Sequence, residues 1–291
     1  MRDKKDVLIH VKKYANNNPN IVAVLITGSM ANPNRKIDVL SDLDIIFISK
    51  DLEILIDDKS WRKEFGKILS FFNDDFLLEN IKTHTCLVLY DDYIRIDFSI
   101  WSTDLIKRII QKDQLPEYLD IGYKVLVDKN NLLDNLKEPT YQAYKIDKPT
   151  EKEFLKNVND FWWDITYIAK YLWRDQFYFA KRMDYFIKFK LVRQMIDWKI
   201  GLENKWDVNT GKFGTKYKKY LDNSTWIKLK DTFSDGNMEN NWETLFKMIS
   251  FYSDISKEIA EKLNFNYPKK RDEMVTELIE KIYKNESPFK K

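Results

Sequence analysis

The sequence predicts an α/β layer with helices on a mixed sheet, followed by a helical bundle. Two observations carry the prediction. The first half alternates helix-period and strand-period segments. The second half, from Pro149 on, repeats apolar residues almost only at helical spacing. A polar connector near Ala143–Pro149 separates the two. The expected domains are therefore residues 1–145 and 146–291.

Taken in order, residues 4–17 read as a helix and Ile21–Ile26 as a strand, with Gly28-Ser29 as the turn after it. Leu43–Ile48 reads as a second strand and Trp61–Phe72 as a helix. Thr85–Tyr90 and Tyr93–Ile100 read as a hairpin around Asp91-Asp92. In the second half, Thr150 and Glu153 have capping-box spacing at a helix start. Phe154, Val158, Phe161, Ile165, Ile168 and Leu172 then form one stripe. Ile187, Leu191, Met195 and Trp198 form the next, and helical patterns cover about 240–263 and 272–284. The Met and aromatic stripes are read as core.

Composition removes several classes. The 49 basic and 46 acidic residues nearly cancel, which argues against a nucleic-acid polymer as partner. Apolar runs have strand length, well short of the ~20 residues of a membrane span, and no signal peptide is evident. The single cysteine, Cys86, lies in an apolar run and is expected in the core. A cytoplasmic location is expected. Nothing in the sequence sets an oligomeric state. The two histidines, His10 and His84, are too few for a histidine metal site.

The chemistry lies in three short segments. Asp42 and Asp44 are two apart on a strand, so they share a face, while Leu43, Ile45 and Phe47 take the other. Neighbouring carboxylates repel, and Mg²⁺ relieves that cost because carboxylate oxygens are its natural ligands. Arg95, Asp97 and Ser99 form the polar face of an alternating strand. If this strand lies beside the first, Asp97 completes a three-carboxylate metal cluster. Gly28 permits a tight turn and Ser29 offers a hydroxyl, which together suit a nucleotide phosphate. In the second half, Asn209–Lys219 is a basic loop holding Gly211 and Gly214. Its Lys212 and Lys216 are candidate cations for a triphosphate, although the spacing is not that of a P-loop.

Gly28-Ser29, Asp42-Leu43-Asp44 and Asp97 resemble the nucleotidyltransferase signature of the DNA polymerase β superfamily. Gly28–Asn32, Asp91–Asp97 and Val125–Lys129 are similar to the aminoglycoside 6-adenylyltransferases, the streptomycin-modifying enzymes. So are Lys148–Thr150, Glu153, Phe161-Trp162, Trp198-Lys199 and Gly211-Lys212. The resemblance covers nearly the whole chain. Two positions depart from it: Met30 stands where the family usually has Arg, and Ser41–Asp44 is closer to the general superfamily form.

The resemblance implies a polymerase β-like nucleotidyltransferase domain that moves AMP from MgATP to a hydroxyl of an aminoglycoside such as streptomycin, releasing pyrophosphate. It implies Asp97 as general base; the residues alone leave base and metal ligand equally open. It also implies an acid facing the cleft from the Ile187 helix. Alignment sets that acid opposite Arg182, and Asp184, on the apolar stripe, is the acid expected there. The acceptor is expected between the domains near Asp97. A polycation would need further acids, for which Asp74, Asp75, Glu79, Asp160 and Asp164 are candidates. Other readings are transfer to another small molecule, protein or RNA hydroxyl, and a non-catalytic nucleotide sensor.

Overall fold

The structure, a computed structural model, describes residues 2–33 and 35–290. The chain divides into two compact units, residues 1–143 and 144–291. Each has its own core.

The first unit opens with α1 (Lys4–Asn17). The Asp3 side chain caps it by accepting from the Lys5 N–H at 2.7 Å, and Val7, Val11 and Ala15 recur every four residues on its buried face. Next come β1 (Ile21–Ile26), the one-turn α2 (Gly28–Ala31), β2 (Leu43–Ser49) and α3 (Leu52–Asp57). A 3₁₀ turn (Lys59–Phe65), β3 (Ile68–Leu78), β4 (Ile81–Tyr90), β5 (Arg95–Ser102), α4 (Thr103–Ile110), α5 (Glu117–Asp120) and β6 (Lys124–Asp128) complete the unit.

The strands form one six-stranded sheet in the order β3-β4-β5-β2-β1-β6. Only β2 and β5 run parallel, so the sheet is mixed. One face carries Leu43, Ile45, Phe47, Ile96, Phe98 and Ile100 against Val7, Val11, Trp61 and Phe65. The other packs Leu25, Ile46, Ile48 and Trp101 against Leu105, Ile106, Ile109 and Leu119. The expected hairpin around Asp91-Asp92 is present as β4 and β5.

The helix expected over Trp61–Phe72 is not there. Its first part is the 3₁₀ turn, which buries Trp61 and Phe65. Gly66, at φ +138°, ends it, and the rest enters β3. The sequence of β3 lacks clean alternation because it is an edge strand; its pairing with β4 across Ile68–Leu78 makes it a strand.

The second unit is helical. It contains α6 (Glu151–Trp173), α7 (Phe177–Phe186), a π-helical stretch (Ile187–Val192) and α8 (Arg193–Glu203). A short 3₁₀ turn (Lys212–Gly214), α9 (Tyr217–Tyr220), α10 (Asn223–Lys230), α11 (Met238–Leu263) and α12 (Lys269–Tyr283) follow. The capping box at Thr150 and Glu153 forms as the sequence indicates. Inside, Phe161 stacks on Tyr252 at 3.5 Å, and the Tyr252 hydroxyl donates to Asn157 Oδ1 at 2.6 Å. Burial of these aromatic faces is the main stabilising contribution, with the hydroxyl satisfied so that it costs nothing. Among the described residues no helix is long and apolar enough to cross a membrane.

Candidate active site

The site is built where β1 and β2 end beside each other. Ile26 pairs with Ile45, and the Thr27 N–H donates to the Asp44 carbonyl at 2.9 Å. This brings Gly28 against the Asp44 side chain. A Cβ on Gly28 would lie 1.9 Å from Asp44 Oδ2, and Gly28 has φ +66°. Both facts require glycine at this position. The half-exposed Ser29 follows in α2.

The β2–β5 pairing sets Asp44 opposite Asp97 in parallel register. Adjacent strands lie about 4.8 Å apart, so these two acids share one face at close range. Asp42 precedes β2 by one residue. Burial, then Asp97, then Asp42 push the Asp44 carboxyl up to about 6. Burial also raises Asp42, and Arg95 partly offsets it.

Arg95 is a residue whose role the sequence reading missed. Its guanidinium donates to both Asp97 oxygens, at 2.8 and 3.0 Å, and stands 3.7 Å from Asp42 Oδ2. The side chains therefore gather around an arginine. Among the described residues, no three His, Cys, Asp or Glu side chains are drawn together closely enough to hold a metal ion. The backbone register supplies three carboxylates to one place; their side chains do not converge as the expected cluster would. Even so, the donors suit a hard cation. They are all oxygens, and Asp44 is held unfavourably between like charges, a cost that a divalent ion at Asp42 and Asp44 would relieve. The signal for Arg95 was its strand parity with Asp97.

In the helical unit, Gly211 has φ +78° and Gly214 has φ +74°. Lys212 is exposed beside the Phe213 ring, with Nζ at 5.8 Å. The Lys216 N–H donates to the Thr210 carbonyl at 2.9 Å and closes the loop. Buried Asp197 fastens it from below, accepting from the Thr210 and Tyr217 hydroxyls at 2.8 Å each. Thr210 and Gly211 form part of the wall of a cavity of about 570 Å³. The cations lining it are Lys145, Lys148, Lys156, Lys190 and Arg193, not Lys212 and Lys216. The π-helical stretch carries Lys190. No apolar periodicity marks such a set, because its members come from a loop, α6, the π-helical stretch and α8.

Asp184 sits on α7 and accepts from the Nζ of buried Lys188 at 2.5 Å. That carboxylate neutralises a buried cation one turn away. Most other acids expected to face a polycation are also paired. Asp75 meets His84 and Lys82, Glu79 meets Lys112, and Asp160 meets Lys156. Asp164 is raised by burial and by Asp160. Cys86 is buried, and burial pushes its thiol up to about 11, which leaves it unreactive. His10 packs beside Phe65.

A family model described as Streptomycin adenylyltransferase matches residues 1–282. The chain belongs to that family. It is a nucleotidyltransferase, with a mixed six-stranded sheet in its first unit and helices in its second. Similar proteins include an aminoglycoside 6-adenylyltransferase of Campylobacter jejuni, 30% identical over 272 residues and covering 92% of each chain. One from Bacillus subtilis is 28% identical over 97% of this chain and 99% of its own. The crystal structure of a Bacillus subtilis aminoglycoside 6-adenyltransferase is 24% identical, with a TM-score of 0.45 over 97% of this chain and 99% of that one.

Proposed function

We propose that this protein transfers AMP from MgATP to a hydroxyl of an aminoglycoside such as streptomycin and releases pyrophosphate. One observation supports the reading above all: Asp44 and Asp97 face each other in register, with Gly28 packed against Asp44, in a chain of this family. The names of its relatives support the acceptor class.

Asp42 and Asp44 would hold Mg²⁺, which when bound would offset phosphate charge in an in-line displacement. Gly28 allows close backbone approach to the phosphates, and the Ser29 hydroxyl donates to them. Lys212 and Lys216 of the helical unit are the cations proposed for the triphosphate. Asp97 accepts the acceptor's hydroxyl proton. That oxygen bonds to the α-phosphorus as the bond to pyrophosphate breaks. Arg95 orients the Asp97 carboxylate through two parallel hydrogen bonds, a geometry that fixes which oxygen lone pair is presented. Asp184 enters this reading as the counter-ion of Lys188.

Incubation with labelled ATP, Mg²⁺ and a panel of aminoglycosides tests the proposal. Label should move to streptomycin, and Asp42→Asn and Asp44→Asn should abolish that transfer with circular dichroism unchanged. Transfer to a neutral or macromolecular hydroxyl alone would refute the acceptor. Turnover within tenfold of the parent in either variant would remove that residue from the mechanism.

A further inference from the structure

Within the N-terminal unit, a cavity of about 300 Å³ lies on the same face of the sheet as Asp44 and Asp97. It runs along β5 past Ser99 to Trp101, with Phe76 and Thr85 from β3 and β4 and Tyr118 from α5 as further walls. Its far end has an unusual property. Trp101 is 3% exposed, and its indole Nε1–H has no hydrogen-bond partner among the described residues. The buried Tyr118 hydroxyl also has none. The two rings meet edge to face, 5.7 Å apart. Burial pushes the Tyr118 hydroxyl up to about 12, so it stays protonated and able to donate. Buried donors without partners are costly and uncommon, and two at one end of one cavity call for an acceptor atom from outside the chain.

The position of the cavity says which molecule supplies it. Gly28 and Ser29 follow β1, on one side of Asp44. The cavity touches Thr27 at its near edge and extends from there over β5, β4 and β3, on the other side. In an in-line displacement the attacking hydroxyl and the leaving group approach phosphorus from opposite sides. Phosphates at Gly28-Ser29 therefore leave the cavity to the acceptor. Apart from Asp44 and Asp97, the cavity walls carry no charged side chain among the described residues. They are aromatic, aliphatic and hydroxyl groups, a lining that suits an uncharged ring bearing oxygen atoms. Trp101 lies four residue steps beyond Asp97 on β5, about 13 Å of strand. The far end is thus a full ring away from the reacting hydroxyl.

We infer that the Trp101–Tyr118 end of this cavity is an acceptor subsite that binds a neutral, hydroxyl-bearing ring next to the ring being adenylylated, with the Trp101 Nε1–H and the Tyr118 hydroxyl donating to its oxygens. This rests on the transfer reading above and adds to it a length requirement. Acceptors of two or more rings are favoured over their single-ring fragments because only they reach both Asp97 and Trp101.

Two conservative variants test the subsite. Trp101→Phe keeps an aromatic ring and removes the N–H, and Tyr118→Phe removes only the hydroxyl. Each should raise the KM for streptomycin about tenfold, with kcat and the KM for ATP within twofold of the parent. The parent's preference for streptomycin over its isolated cyclitol ring should shrink by a similar factor. In ¹⁵N-labelled protein, the Trp101 indole signal, assigned by its loss in Trp101→Phe, should shift on titration with streptomycin without ATP. Unchanged KM in both variants, or a Trp101 signal unmoved at saturating streptomycin, overturns the subsite and leaves the transfer reading standing. Failure of the parent to adenylylate any aminoglycoside overturns the proposed acceptor class, and the subsite with it.

Discussion

Gly28 and Asp44 occupy space that cannot be shared with another side chain. Gly28→Ala must push Asp44 aside and strain a backbone at φ +66°. We expect a loss of more than about 1 kcal/mol in stability and at least a hundredfold loss of transfer, read by urea unfolding and by labelled-ATP assay. Asp44 itself is kept for function at a cost to the fold. Its folded pKa, about 6, exceeds the ordinary 3.8 of an unfolded chain. A raised pKa means the folded state binds the proton more tightly. The contribution is complete below about pH 4 and is lost as pH rises through about 6. Metal-free Asp44→Asn should therefore be more stable than the parent at pH 7.5, by on the order of 1–2 kcal/mol after allowance for solvent screening. The advantage should vanish at pH 4. Equal melting temperatures at pH 7.5 would contradict the environment described for Asp44. Asp97 poses a different question. If it acts as the base, Asp97→Asn should bind MgATP with near-parent affinity in calorimetry and yet lose transfer. Loss of MgATP binding would make it a metal ligand first.

The loop over Asn209–Tyr217 holds its shape through one buried carboxylate. Asp197 takes hydroxyl hydrogen bonds from both ends of the loop, at Thr210 and Tyr217, and Arg193 Nη1 stands 3.7 Å from its other oxygen. Asp197→Ala leaves the Thr210 hydroxyl without its acceptor and the Tyr217 hydroxyl with only the Arg193 carbonyl, at 3.1 Å. It should cost about 2–4 kcal/mol, seen as an earlier denaturant midpoint. If Lys212 and Lys216 serve the triphosphate, the same change should raise the KM for ATP more than that for the acceptor. Asp197→Asn, which keeps an accepting oxygen, should recover most of both losses. Restoration of stability without any recovery in KM would separate the loop from nucleotide binding. The element most misread from sequence, β3, makes the complementary point. An edge strand with exposed Phe71, Phe72 and Leu77 shows no clean two-residue alternation, and only its ladder with β4 identifies it.

Over the whole molecule, charge is nearly balanced, and the structure resolves how. Of the acids expected to attract a polycation, Asp75, Glu79, Asp160 and Asp184 are matched by lysine or histidine within their own unit. Arg95 in turn matches part of the charge of Asp97 and Asp42, so attraction for an aminoglycoside falls to the charge that Asp42, Asp44 and Asp97 keep beside it, with Asp74 and Asp164. Streptomycin affinity should still weaken as salt rises, since partly exposed charge is screened. The slope should be modest, with a few-fold loss between 50 and 500 mM on the order expected for two or three effective charges. Affinity independent of salt would mean that the acceptor is held by neutral contacts alone.

The sequence by itself determined the two-part architecture, the helix start at Thr150 and the apolar face of Leu43, Ile45 and Phe47. Those follow from local rules: the two-residue period of a strand, the 3.6-residue period of a helix, and the capping chemistry of Thr150 and Glu153. It also pointed to Asp97 through the alternation of its strand. Only the tertiary structure decided that β5 lies parallel beside β2, which sets Asp97 opposite Asp44. It likewise decided that Arg95 takes the Asp97 carboxylate, that Asp184 answers Lys188, and that Trp101 and Tyr118 meet at one end of a cavity. Each of these depends on which strands and helices become neighbours. Nothing in local spacing encodes that choice; it follows from the joint burial of several apolar faces in one core.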